Sequence, residues 1–233
     1  MLEYVDETAA KIMVAARPGD SIRRIAQKID GSYSWVYDWI QRLVDVGFIR
    51  REDGVYIENH AVRDRYYDLV AAISRAVPPS INDGYVIPHF AGMPFAYTKI
   101  DGVYVWTHGG YQIARGHDDY PIFIKVADQD VEQWTAFFDE FGIPSRIEER
   151  PDATDYDATV SYVLFPTSGE ITREWVDGNP VIPLDEAIEH MLEYRVNYEP
   201  ALEMIADEYN RDIDASHEDP HHNIDCRWGI FRD

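Results

Sequence analysis

Across residues 48 to 57, two short β-patterned runs, Phe48-Ile49-Arg50-Arg51 and Val55-Tyr56-Ile57, flank Asp53-Gly54. An Asp-Gly pair between such runs is the strongest short-range hairpin signal, because both residue types tolerate the backbone of a tight turn. The residues before it narrow the choice of folds further. Apolar side chains recur at helical spacing over residues 8 to 16, and Arg17, Pro18 and Gly19 end that run. Asp20 or Ser21 can cap a second short helix over residues 22 to 29, with Ile22, Ile25, Ala26 and Ile29 on one face. Asp30-Gly31 makes a turn. Ser32 or Ser34 then caps a third helix running to about Val46, with Val36, Ile40, Leu43 and Val44 as its buried stripe, and Gly47 stops it.

Three helices followed by a hairpin resemble the winged helix-turn-helix family over residues 7 to 58. The matching pieces are Ser21-Ile22-Arg23-Arg24-Ile25-Ala26, Ser32-Tyr33-Ser34-Trp35-Val36-Tyr37 and Val46-Gly47-Phe48-Ile49. The resemblance implies that the third helix enters a major groove while the second helix and the wing touch phosphates. Removing the buried stripe leaves Tyr33, Ser34, Trp35, Tyr37, Asp38, Gln41 and Arg42 on the outer face. Gln41 can address adenine bidentately and Arg42 guanine or phosphate, while Arg23, Arg24, Arg50 and Arg51 are expected to hold phosphates. The expected partner is double-stranded DNA. A protein partner is the alternative for this face, since Trp35 and Tyr37 suit an apolar interface and Asp38 repels phosphate.

The distribution of charge favours DNA. The 233 residues include 43 Asp or Glu and 21 Lys or Arg, a net charge of -22. Residues 1 to 76 hold 11 basic and 12 acidic side chains, a net of -1, whereas the rest holds 10 and 31, a net of -21. Only Lys11, Lys28, Lys99 and Lys125 are lysines. Few lysines with surplus carboxylates look like the surfaces of proteins from salt-in halophiles. Such an adaptation would acidify both parts alike, so the near-neutral first third points to a polyanion partner rather than to chance.

Composition excludes other classes. The lone cysteine, Cys226, cannot form an intrachain disulfide. With 45% hydrophobic and 13% aromatic residues the chain can pack ordinary cores, and its length suits two domains. No run approaches the roughly 20 apolar residues of a membrane span, and Met1 to Ala10 lacks a secretory pattern, so a cytoplasmic protein without membrane contact is expected.

Residues 59 to 76 continue as a helix with Val62, Tyr66, Leu69, Val70 and Ile73 spaced for burial, suited to connecting domains or to pairing with its copy in a homodimer. Residues 77 to 84 read as a Pro/Gly-rich linker. Beyond it, Tyr85 to Pro88, Val103 to Thr107, Pro121 to Val126 and Ser161 to Phe165 read as short strands. A helix from Asp128 or Asp130 to Phe141 points Val131, Trp134, Phe137 and Phe138 inward and ends at Gly142. Residues 184 to 195 and 199 to 209 are amphipathic helices, the second capped by Asn197 with Pro200 in its first turn. The predicted class is α+β. Residues 1 to 76 form a winged helix-turn-helix domain with its connecting helix, residues 85 to 214 an acidic α/β domain with carboxy-terminal helices, and residues 215 to 233 an acidic tail.

His108-Gly109-Gly110-Tyr111-Gln112-Ile113-Ala114, read as following a strand and opening a helix, is followed by the strand Pro121-Ile122-Phe123-Ile124 and by Val181-Ile182-Pro183-Leu184-Asp185-Glu186-Ala187. With the amino-terminal winged helix, this order resembles AbiEi-type antitoxins. The resemblance implies an autorepressing regulator whose partner is a nucleotidyltransferase-like toxin, without catalytic residues or cofactor. The rival reading is a nucleotidyltransferase, with Gly109-Gly110 beneath a triphosphate and Asp118-Asp119 as metal-holding acids. Adjacent strand residues face opposite ways, which disfavours a shared metal. His217, Asp219, His221, His222, Asp225 and Cys226 are zinc-ligand types at no standard spacing, so a structural tail is preferred over a metal site. His60, His89 and His190 read as packing or surface residues.

Overall fold

The computed structural model describes residues 2–112, 119–148 and 158–213. After a 3₁₀ turn at Leu2–Tyr4, Asp6 caps α1 (Glu7–Ala15) by accepting from the N–H groups of Thr8 and Ala9. Ser21 caps α2 (Ile22–Lys28) through the Arg24 N–H, and α3 (Tyr33–Asp45) starts after Ser32. The hairpin follows as β1 (Ile49–Arg51) and β2 (Val55–Ile57), antiparallel with Arg50 opposite Tyr56. Neither Asp53 nor Gly54 has a positive φ. Glycine is needed at 54 for a different reason: a Cβ there would lie 2.7 Å from the Gly19 backbone. The hairpin is tied to that loop by bonds from Gly19 N–H to Val55 O and from Val55 N–H to Asp20 O. Asp20, only 5% exposed, also accepts from Lys28 Nζ at 2.5 Å and from the Arg17 N–H at 2.8 Å.

Asn59 caps α4 (His60–Ala76), which packs on α1. The expected linker is corrected. Only Val77-Pro78-Pro79 connects, because Ser80 and Asp83 form a reciprocal capping box that opens α5 (Ile81–Val86), followed by α6 (Pro88–Ala91). Gly84 lets α5 approach the sheet, where a Cβ would meet Ile122 Cδ1 at 2.6 Å. Tyr85 to Pro88 is therefore helical rather than extended. Val103 to Thr107 is corrected likewise: after β3 (Ala96–Tyr97), α7 (Lys99–Trp106) takes up most of that run. Ile100, Asp101, Gly102, Val103, Val105 and Trp106 are all buried in α7, and a helix apolar on every side shows no helical period in its sequence.

The remaining elements are β4 (Asp119–Ala127), a 3₁₀ turn at Asp128–Asp130, α8 (Val131–Phe141), β5 (Ser145–Ile147), β6 (Ala158–Thr167), β7 (Glu174–Val176), β8 (Asn179–Val181), α9 (Leu184–Glu193) and α10 (Arg195–Tyr209). Asn197 lies inside α10 rather than capping it, and Pro200 falls in its interior. The six-stranded sheet has the order β5-β6-β4-β3-β8-β7. β6 pairs in parallel with β4 and β5, β3 in parallel with β8, and the β3–β4 and β7–β8 pairs are antiparallel. β4 and β6 are buried almost throughout, as central parallel strands covered on both faces must be. Phe138 of α8 stacks on Tyr162 at 3.9 Å, and buried Asp101 accepts from the Phe123 N–H and from the Tyr85 hydroxyl. The fold is thus mixed α+β, with helices first and alternating helices and strands after them. No helix among the described residues is long and apolar enough to cross a membrane.

A single hydrophobic cluster runs through both parts. α4 packs on α8, Ser74 Oγ donates to Phe141 O, and the β7–β8 turn presses on α2, where a Cβ on Gly178 would lie 2.3 Å from Gln27 Cβ. His89 sits in this seam, fully buried, and Nε2 of its neutral ring donates to Asn179 Oδ1 at 3.3 Å. Burial lowers its pKa to about 3, against a raising effect from the Asn179 bond and with further lowering by Lys28 and Arg17. Unfolded histidine binds its proton near pH 6.5. The unfolded state therefore holds more protons between those values, and stability falls as the pH drops from about 6.5 toward 3. Denaturant titration at pH 7 and pH 4 should show a loss from this residue on the order of 3 kcal/mol, and a smaller acid-dependent loss in His89→Gln. An equal loss in wild type and variant would contradict this assignment.

Candidate nucleic-acid interface

α3 turns Val36, Trp39, Ile40 and Leu43 inward and leaves Tyr33, Ser34, Trp35, Asp38 and Arg42 exposed. Four features depart from the expected helix faces. Trp39 is buried, as a fourth member of the stripe, while Val44 is only half-buried. Gln41 is half-buried with Nε2 enclosed and unpartnered among the described residues, so its amide does not stand on the open surface. Trp35 leans toward α1, where its Nε1–H donates to Thr8 Oγ1 at 3.0 Å, and its ring meets Trp39 edge-on. Tyr37 is half-buried, 6.2 Å from Tyr33 and beneath the guanidinium of Arg51. The open part of α3 is its amino-terminal end around Tyr33, Ser34 and Asp38. A groove of about 250 Å³ beside it is lined by Ser21, Arg23, Tyr33, Arg51, Glu52 and Asp53.

The eleven basic residues of the first third do not play one role. Lys28 is buried against Asp20, and half-buried Arg17 is taken up by backbone carbonyls. Lys11 pairs with Glu7, Arg65 with Asp68, and Arg63 lies 3.9 Å from Asp64. Arg75 donates to the Glu140 carbonyl. Arg50, expected to hold phosphate, is paired with Glu52 and Glu58, whose hydrogen bonds raise its pKa. Arg23, Arg24, Arg42 and Arg51 remain. All four are exposed, none has a carboxylate partner among the described residues, and all lie on α2, α3 or the hairpin. Arg42 stacks over Trp39 at 5.0 Å, and Arg24 stacks over Trp175 of β7 at 4.7 Å. Trp175 and its neighbour Arg173 were not among the sequence candidates. β7 is three residues long, and only tertiary packing brings it beside α2.

His108-Gly109-Gly110 does not follow a strand. It closes α7 as a turn, with His108 at φ 50° and Gly109 at φ 76°. His108 bonds to Asp177 at 2.5 Å and approaches Glu208 at 3.2 Å, while a Cβ on Gly110 would lie 2.4 Å from Met204. These contacts tie α7 to the β7–β8 turn and to α10. Ile113, Ala114 and Asp118 lie outside the described residues, as do His217, Asp219, His221, His222, Asp225 and Cys226. Among the described residues no group of three or more His, Cys, Asp or Glu is placed to hold a metal ion. His89 and His190 are buried and His60 is exposed. A second cavity, of about 220 Å³, opens where α2 meets the sheet part and is lined by Gln27, Lys28, Tyr104, His108, Asp177 and Asn179.

No family model matches the chain, and no curated protein or solved structure shows significant similarity to it.

Proposed function

We propose that the chain is a DNA-binding transcriptional regulator of winged helix-turn-helix type. One observation carries the reading: in a chain with 43 acids and 21 bases, Arg23 and Arg51, exposed and without a carboxylate partner among the described residues, line the groove beside the open end of α3 together with Tyr33. Unpaired guanidiniums repel one another and gain by meeting phosphates. β1 and β2 then form the wing, Arg23 and Arg51 position the backbone, and Tyr33, Ser34 and Asp38 face the bases. The acidic remainder serves as the regulatory or partner-binding part. Within this class its charge suits an autorepressing antitoxin facing a cognate toxin, in line with the resemblance to AbiEi-type antitoxins. The test is fluorescence anisotropy of the full chain with a duplex library at graded potassium chloride. Arg51→Ala should weaken binding to all sequences and reduce the slope of log affinity against log salt by about 1. Arg50→Ala should do less, its charge being already neutralised, and Ser34→Ala should change preference at particular bases. No binding to any duplex at low salt overturns the reading.

The regulator acts as a homodimer in this proposal, with α4 as the pairing element. Leu69, Ile73 and Val77 are 43%, 53% and 63% exposed at successive helical turns, although Leu69 and Ile73 had the spacing of buried residues. With Val5 they border an apolar groove of about 430 Å³. Within α4 itself Arg63, Arg65 and Arg75 face Asp64 and Asp68 in number, so two copies meet there with little repulsion despite the overall charge. Light scattering should give a dimer for the wild type and a monomer for Leu69→Glu/Ile73→Glu. A monomeric wild type, or a dimer unaffected by the double variant, contradicts this.

A further inference from the structure

Arg24 of α2 and Arg173, just before β7, converge on one indole. Their guanidinium carbons lie 4.7 and 5.5 Å from the Trp175 ring, and all three side chains are exposed, Trp175 by 40%. Neither arginine has a carboxylate partner among the described residues; Arg173 donates only to the Phe95 carbonyl, at 3.3 Å. Partial burial lowers the pKa of Arg173, Glu170 nearby raises it, and the charge of Arg24 lowers it again. Two like charges thus sit together, one of them, Arg173, from the part of the chain where acids outnumber bases three to one, and no counter-charge is bonded to either among the described residues.

Stacking engages the flat face of a guanidinium and leaves its N–H donors in the plane, at the edge. Guanidiniums lying over an indole keep N–H donors available to an outside acceptor, and phosphate oxygens match their fork geometry. The position is continuous with the surface described above. Arg23 adjoins Arg24 and lines the groove shared with Tyr33 and Arg51. The close contact of Gly178 with Gln27 fixes β7 and β8 against α2, so the spacing of Arg24 and Arg173 is set by packing.

We propose that Arg24, Trp175 and Arg173 form a phosphate site that carries the DNA contact of α2 onto the sheet part of the protein. This rests on the DNA-binding reading. The acidic half then contributes one backbone contact of its own, and the duplex path is set by both parts together. It also gives an acidic surface beside DNA a local positive point where the two approach, rather than leaving it to repel the duplex.

The same anisotropy titration tests it with the full chain. Arg173→Gln should weaken binding severalfold at low salt, reduce the salt slope by about 1 and leave sequence preference unchanged. Arg173→Lys should restore most of the slope, because it restores the charge, and Trp175→Leu should weaken binding by releasing both guanidiniums. Thermal melting of Arg173→Gln should stay close to wild type, since the only hydrogen bond lost among the described residues is the long one to the Phe95 carbonyl. Unchanged affinity and slope in Arg173→Gln, while Arg51→Ala still shows its loss, overturns the site but not the DNA reading. Failure of the wild type to bind any duplex overturns the DNA reading instead. Inorganic phosphate that displaces duplex from wild type but not from Arg173→Gln would assign the site to a free anion and reject the proposal.

Discussion

The half-buried guanidinium of Arg17 joins the two parts of the molecule. The last carbonyls of a helix have no partners within it. Arg17 supplies them: Nη1 donates to Val14 O at 2.7 Å and to Ala16 O at 3.0 Å, while Nη2 donates to His89 O at 2.8 Å and Phe90 O at 2.9 Å across the seam. One side chain thus closes α1 and clamps α6 to it, a task for which the five donors of arginine are suited and lysine's are not. Burial, and after it the charge of Arg63, lower its pKa to about 10 against the opposing effect of Asp20. Gly92, at φ 73°, leaves the room this requires, because a Cβ there would lie 3.0 Å from the guanidinium.

With α1 fixed to α6, the other seam contacts are fixed in register. Asp20, held by Lys28 and by the Arg17 N–H, sets the loop on which the hairpin rests. Gln27 meets the β7–β8 turn, and Arg24 meets Trp175. The helices and the sheet are one packed body rather than beads on a linker. β7 thus lies beside α2, which in turn packs on α3. A ligand in the cavity of about 220 Å³ between α2 and the sheet would act on that same seam.

What could be read from the sequence follows from where the information lies. α1, α2, α3 and α8 carry one apolar face each and local caps or stops, so spacing alone reveals them. β4 and β6 are long apolar runs and were equally visible. α5 and α7 were missed because they are buried on more than one side, and the Gly84 that suggested a linker is there for close approach to Ile122. β3, β5, β7 and β8 are two or three residues long and exist only by pairing. The candidate site divides in the same way. The exposure of Arg23, Arg42 and Arg51 follows from helix and hairpin periodicity. The capture of Arg50 by Glu52 and Glu58, the enclosure of Gln41 and the stacking of Arg173 on Trp175 depend on contacts no local pattern encodes.

Hydrogen exchange of the full chain, with and without bound duplex, tests most directly whether α3 and β7 share one DNA-facing surface. Exchange should slow together over residues 21–24, 32–42, 50–56 and 173–176, and remain unchanged in α8 and α9. Slowing confined to residues before 77, or falling on α4 alone, would contradict it.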